Sequence, residues 1–187
     1  MRDEASAGAW ILGLLDHNLR RLDLPVFARL YRAWRDLDAE AVKHWNAWLY
    51  ASREAAELQQ EDRHLGMALA RLLADLGLDE AAPWRNAPRV CFATLFALAA
   101  ARWEIPLPQA ATGYAWSWLE NQVTAATRLI PLGQTASQRL LSAAGPAVTA
   151  AVAEGLILAD EDIGVAAPGL ALAGALHETQ YSRLFRS

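Results

Sequence analysis

The hydrophobic residues of this 187-residue chain recur with the period of an α-helix over almost its whole length. In the first segment, Trp10, Leu14 and Leu19 are spaced so that they share one helical face. No segment alternates apolar and polar residues as a half-buried strand does, and no fixed-period repeat is present. With 54% hydrophobic residues, the chain can bury a sizeable core. The sequence therefore predicts an all-α fold, an irregular bundle of about seven to eight helices.

Prolines, glycines and acidic residues indicate where the helices begin and end. Asp23 is predicted to be the N-cap of a helix that carries Pro25 near its start, and Asp38 the N-cap of the next helix. Gly66, inside a charged amphipathic helix, indicates either the close approach of another backbone or a tolerated glycine. Further predicted features are a loop at 77–88, a kink at Gly145-Pro146, a loop at 160–164 and a short last helix from Pro168 to about His177.

Composition and charge exclude several classes of protein. The net charge of −4 argues against a nucleic-acid partner, which would favour a basic surplus. No uncharged apolar run reaches the roughly 18 to 20 residues that a membrane span needs. The start of the chain, Met1-Arg2-Asp3-Glu4, lacks the basic and apolar pattern of a signal peptide. The single cysteine, Cys91, cannot form an internal disulfide, so we expect a cytoplasmic protein with no membrane contact.

The common motifs of catalysis and cofactor binding do not occur in the sequence. There is neither a dinucleotide-binding glycine pattern nor a phosphate-binding loop with its lysine. His177-Glu178 resembles the start of a zinc-protease helix motif, but Tyr181 stands where the second histidine would be needed. Cys91 lies among apolar residues, which raise the pKa of a thiol. The sequence predicts no cofactor, no metal site and no enzymatic activity.

The last eleven residues combine aromatic, cationic and polar side chains in a very short segment. Chain termini usually drift towards simple polar composition, whereas tyrosine, phenylalanine and arginine are enriched at the centres of protein–protein interfaces. We therefore divide the chain into a single all-α domain, 1–176, and a partner-docking tail, 177–187. The predicted contact residues of the tail are His177, Glu178, Gln180, Tyr181, Ser182, Arg183, Leu184, Phe185 and Arg186.

A second candidate contact surface lies between Trp116 and Gln134. Polar groups stand among large aromatic residues there, and between Glu120 and Glu154 the only charges are Arg128 and Arg139. Two cations in such a stretch either form specific pairs or partner contacts, or simply point into water. The predicted contact residues are Ser117, Trp118, Glu120, Gln122, Arg128, Pro131, Gly133 and Gln134.

Taken together, several segments resemble the urease accessory protein UreF family. The tail from His177 to Ser187 is similar to the C-terminus of that family, and the order and spacing of the segments agree over nearly the whole chain. The other segments that carry the resemblance are Tyr114 to Glu120 and Arg128 to Gln134 in the centre, and Asp23-Leu24-Pro25, Ser52-Arg53-Glu54 and Glu61-Asp62-Arg63 in the N-terminal half.

The resemblance implies an all-α, usually homodimeric protein without catalytic activity of its own. Members of the family act in urease maturation: they bind the accessory protein UreD, also called UreH, and recruit the nickel-carrying GTPase UreG to apo-urease. The resemblance assigns the tail to the UreD contact and Arg128 to the UreG contact. A regulator of the UreG GTPase, acting through Arg128 or Arg139, is the alternative hypothesis. A direct nickel carrier is a third, which the few histidines and the one cysteine disfavour.

The resemblance also concerns the beginning of the chain. Members of the family usually begin with a further segment that contains a Ser/Pro/Gly-rich stretch and a Gly-Leu-Glu motif, whereas Met1 already falls within the family pattern. Either the start codon was assigned late or this is a shortened form. As a result, we expect apolar surface to be exposed and helix packing near Trp10 and Trp34 to be weakened.

Overall fold

The structure, a computed structural model, describes residues 3–53, 55–130 and 132–164. No strand occurs in these ranges, so the predicted all-α fold is confirmed. A π-helical stretch, Leu15–Asp23, joins the first two helices, and two 3-10 helices span Asp79–Trp84 and Asp160–Asp162. The expected last helix from Pro168 and the tail 177–187 lie outside the described residues. The α-helices are α1 (Glu4–Leu14), α2 (Leu24–Arg35), α3 (Ala39–Ala51), α4 (Ala56–Asp75), α5 (Phe92–Arg102), α6 (Leu107–Leu129) and α7 (Gln134–Gly155).

The two predicted helix caps have different outcomes. Asp38 caps α3, since its carboxylate accepts a hydrogen bond from the backbone N–H of Ala41 at 2.9 Å. The N-cap prediction for Asp23 is wrong: its backbone is helical, with φ −66° and ψ −48°, and no side-chain cap bond forms. The Asp23 carboxylate instead accepts hydrogen bonds from Arg53 and Tyr114. Because the carboxylate binds these tertiary partners, it does not cap α2, and the helix continues from α1 through the π-helical stretch into α2.

Helix α2 lies at the centre of the core. It packs against α3, α5, α6 and α7, and most of its side chains are buried. The ring of Phe27 stacks on Tyr114 with the ring centroids 5.1 Å apart and meets Phe96 edge-on at 6.1 Å. The indole N–H of Trp34 donates to the backbone oxygen of Thr94 at 2.9 Å. This buried hydrogen bond shows that Trp34 belongs to the core, contrary to the expected weakening of helix packing there.

Gly66 marks a close backbone approach, as one of the two sequence interpretations holds. A Cβ atom at this position would lie 3.0 Å from the carbonyl oxygen of Val90, so α4 contacts the segment that leads into α5 without room for a side chain. The end of α7 is equally close to its neighbour, because a Cβ at Gly155 would lie 2.9 Å from the carbonyl oxygen of Arg20. Both contacts require glycine for packing.

Two predicted loops contain short helical segments. The interval 77–88 includes the 3-10 helix Asp79–Trp84, which carries Pro83, and the interval 160–164 includes the 3-10 helix Asp160–Asp162. Both loop predictions are therefore wrong in part, because short segments of acidic residues and alanine leave little periodic signal. Among the described helices, none has the length and apolar character that a bilayer crossing requires.

Candidate protein-binding surface

One face of α6 presents part of the predicted contact surface to solvent. Trp116, Glu120, Thr124 and Arg128 follow each other at four-residue spacing, so each lies about 40° further around the helix than the one before, and all four are exposed. The indole N–H of Trp116 donates to the carboxylate of Glu120 at 3.1 Å. Ser117 lies beside them and is half-buried. These five residues, the α6 outer face, form a strip that carries an aromatic ring, an anion and a cation and winds about 120° around α6.

The remaining residues of the central prediction do not all join this face. Trp118 and Gln122 are partly buried on a different side of α6, where Trp118 packs against the core. Gly133 and Gln134 are exposed at the start of α7, which follows the end of α6 closely. Pro131 and the tail residues 177–187 lie outside the described residues. That the tail and this region form one surface stays a prediction.

The two cations of this charge-poor stretch have different surroundings. Arg139 binds the carboxylate of Glu4 through two hydrogen bonds, of 2.9 Å from Nε and 2.7 Å from Nη2. The hydrogen bonds from Arg139 lower the pKa of Glu4 below its ordinary value. Arg128 is exposed and makes no hydrogen bond or ion pair to any other described residue. Within the described part of the chain, Arg139 would have to give up an ion pair to bind a partner and Arg128 would not.

A buried charged network lies on the inner side of α6, and sequence reasoning missed it. Arg53 donates to both carboxylate oxygens of Asp23, at 2.6 and 3.0 Å, and to Asp62 at 2.9 Å. The hydroxyl of Tyr114 donates to Asp23 at 2.8 Å, and the backbone N–H of Phe92 donates to Asp62 at 2.7 Å. This buried Asp–Arg network joins the π-helical stretch, the connection between α3 and α4, and the helices α4, α5 and α6.

The protonation states in and around the network follow from burial and neighbouring charge. Burial by itself lowers the pKa of Arg53, but the carboxylates of Asp23 and Asp62 outweigh it and hold the pKa well above its ordinary value. Burial, followed by the charge of Asp23, raises the pKa of Tyr114 well above its usual range, so its hydroxyl stays a donor. Burial also raises the pKa of Cys91, so this thiol is not an activated nucleophile.

Four residues of the network lie in the segments that carry the sequence resemblance. Asp23, Arg53, Asp62 and Tyr114 each come from one of the segments that carry it, and Asp23 and Tyr114 are 91 residues apart. Spacing along the chain cannot reveal such a meeting. The available signal was charge placed among apolar residues, because a buried charge needs a partner. Tyr114 therefore ties α6 to the network through Asp23, while the α6 outer face of the same helix is exposed.

The fold and this surface define an all-α protein that displays a face of mixed chemistry above a buried charged network. Within the described ranges, no group of three or more metal-ligating side chains is assembled. The sequence model of the UreF family matches residues 1–145. Among similar proteins, the urease accessory protein UreF of Alkalilimnicola ehrlichii is 55% identical over 187 residues, covering 100% of this chain and 82% of the relative. That of Chromohalobacter salexigens is 52% identical, covering 99% of this chain and 80% of the relative.

A third relative, the urease accessory protein UreF of Hahella chejuensis, is 49% identical over 178 residues, which cover 95% of this chain and 80% of the relative. Identity of this extent over nearly the whole chain shows common ancestry and a common fold. The chain belongs to the UreF family of urease accessory proteins, and the resemblance seen in the sequence is confirmed.

Proposed function

We propose that this protein is a non-catalytic accessory factor of urease maturation that bridges UreD, bound to apo-urease, and the GTPase UreG, so that nickel is inserted into the urease active site. Family membership supports the role in urease maturation. The observation that carries the bridging role is the α6 outer face, on which Trp116 is exposed together with Arg128, which has no ion-pair partner among the described residues. Arginine and tryptophan are the residues most enriched among interface hot spots. We expect a cytoplasmic homodimer in the complex.

Arg128 is the proposed contact to UreG. A guanidinium group binds a carboxylate through two parallel hydrogen bonds, and no described residue already occupies the guanidinium of Arg128. Replacing Arg128 with alanine should weaken the binding of UreG to the complex of this protein with UreD by about tenfold or more. Calorimetry or surface plasmon resonance measures this. The matched control is Arg71→Ala, an exposed arginine on α4, which should leave the affinity unchanged. Equal affinities for all three proteins would contradict the assignment.

The tail is the proposed contact to UreD. Its aromatic and cationic residues, Tyr181, Arg183, Phe185 and Arg186, have the composition of an interface centre. Deleting residues 178–187 should abolish co-purification with UreD, while circular dichroism of the truncated protein stays helical. Retained binding by a folded truncated protein would mean that the contact lies elsewhere.

Regulation of UreG is the second candidate function, and the environment of Arg128 favours that residue over Arg139. An arginine supplied by a partner can stabilise the charge that develops during GTP hydrolysis. Arg139 would first have to leave Glu4, whereas Arg128 has no such partner in the ranges that the structure describes. The test is GTP turnover by UreG at saturating concentrations of wild-type and Arg128→Ala protein. Unchanged maximal turnover would leave the bridging role alone, and a large decrease would support regulation.

A further inference from the structure

A row of leucines lies along one side of α4. Its members are spaced by four, three and four residues, which is the spacing of a coiled-coil seam, and at about 100° per residue they lie within about 60° of each other around the helix. Three of them, Leu65, Leu72 and Leu76, are 40%, 54% and 59% exposed. The fourth, Leu69, is half-buried and packs against the core. These four residues, the α4 leucine row, form an apolar strip about 17 Å long.

The α4 leucine row is not the side by which α4 is anchored in the fold. The buried residues of α4 are Asp62, Gly66, Ala70 and Leu73, and the helix packs against α5 and the 3-10 helix Asp79–Trp84. The buried side lies about 80° around the helix from the leucine row. Single exposed leucines are common on protein surfaces, whereas a contiguous apolar strip marks an interaction site. Because two helices interlock through this spacing, the row fits another helix.

An anion stands at the edge of the row. Glu61 lies about 50° around the helix from the centre of the row, and it makes no hydrogen bond or ion pair to any other described residue. Burial of its carboxyl, followed by the charge of Asp62, raises the pKa of Glu61 above its ordinary value. Arg53 does not compensate this charge fully, because it already binds Asp23 and Asp62. A cation brought to this edge from outside would therefore be stabilising.

We propose that the α4 leucine row binds an amphipathic helix of a partner protein, one that has apolar residues at the same spacing and a lysine or arginine opposite Glu61. A second copy of this chain is the weaker occupant. An antiparallel pair of rows centred near Ala68 would set Glu61 of one copy against Asp75 of the other, and like charges in an interface repel. The contact is separate from the α6 outer face and does not depend on the role proposed for that face.

Two synthetic helical peptides serve as probes for the full chain. Both have leucines at the seam positions of three heptads, and one has lysines beside the seam where the other has glutamates. Fluorescence anisotropy measures their binding. The lysine peptide should bind the wild type about tenfold more tightly than the glutamate peptide, and Leu72→Gln should weaken its binding about tenfold. The matched control is Leu129→Gln on α6, since Leu129 is also 54% exposed. No binding, or equal weakening by both variants, would overturn the proposal.

Reversing the charge of Glu61 tests the position of the cation. Glu61→Lys should weaken the binding of the lysine peptide about tenfold and strengthen that of the glutamate peptide. Glu161→Lys changes the net charge equally at an exposed position far along the chain, and it should alter neither affinity. Equal effects of the two reversals would mean that only net charge attracts the peptide, against the proposal.

Sedimentation velocity tests the alternative occupant. The oligomeric state of the protein should be the same for the wild type, Leu72→Gln and Leu129→Gln. A dimer that dissociated only in Leu72→Gln would show that the row joins two copies of this chain, and this result would overturn the proposal.

Discussion

Replacing Arg53 with methionine removes the only cation of the buried Asp–Arg network. The side chain of Arg53 is 13% exposed, and those of Asp23 and Asp62 are 3% and 9% exposed. The substitution deletes three charge-assisted hydrogen bonds and leaves two carboxylates in the protein interior without a counter-charge. Removing one partner of a buried ion pair costs about 3–5 kcal/mol. We expect the free energy of unfolding to fall by about this amount, a large share of the roughly 5–15 kcal/mol of a typical domain.

A combined variant separates lost charge compensation from lost packing. When Asp23→Asn and Asp62→Asn are added to Arg53→Met, no carboxylate of the network is left in the interior without a counter-charge. The combined variant should therefore be more stable than Arg53→Met alone. A loss that came only from packing would not be recovered.

Urea unfolding, followed by tryptophan fluorescence and circular dichroism, measures both quantities. The control is Arg85→Met, which removes the ion pair between Arg85 and Asp75. The side chain of Arg85 is 41% exposed and that of Asp75 is 70% exposed. Exposed pairs contribute about 0–1 kcal/mol, so this variant should stay close to the wild type. If Arg53→Met cost no more than Arg85→Met, the network would not stabilise the fold and the reasoning would be refuted.

Three further substitutions test other parts of the interior. Gly66→Ala should lower the free energy of unfolding by about 1–3 kcal/mol, because the new methyl group meets the backbone at Val90. This loss should exceed the gain from the better helix propensity of alanine. A more stable variant in urea unfolding would disprove the close approach. Tyr114→Phe should cost about 1.5–3 kcal/mol, since a buried hydrogen bond to the charged Asp23 carboxylate is lost. A neutral result in the same assay would count against that bond. Burial raises the pKa of Cys91 in the folded state. The contribution of this thiol to the free energy of unfolding is therefore complete below the unfolded-state pKa of about 8.5. It is lost as the pH rises above that value, by about 2 kcal/mol at pH 10. Cys91→Ala should therefore lose less stability than the wild type between about pH 8 and pH 10, and identical losses would show that the thiol ionises equally in both states.

Local signals in the sequence predicted those features that depend on neighbouring residues. Helical periodicity needs only residues within two turns, and the cap at Asp38 needs only the N–H three residues later. Gly66 was recognisable as unusual, but the sequence left open whether another backbone lay against it. Asp23 looked like a second cap by the same rule. The cap prediction for Asp23 failed because its carboxylate binds Arg53 and Tyr114, which are both distant along the chain.

The candidate surface was predictable to a similar degree. Exposed polar and aromatic residues in a charge-poor helix indicated the region around Arg128, but they did not show which residues share a face. The structure leaves Trp116 and Arg128 exposed and packs Trp118 against the core. Likewise, two arginines looked equivalent until the structure paired Arg139 with Glu4, 135 residues away.

The amino-acid sequence by itself determined that this protein is helical and that it belongs to the UreF family, because periodicity and motif order are properties of the chain read in one dimension. Only the tertiary structure decided that Asp23, Arg53, Asp62 and Tyr114 form one buried network and that Arg128 stays unpaired among the described residues. The physical reason is that the free energy of a charged group depends on burial and on the partners within a few ångströms. Those partners come from segments that meet only when the helices pack.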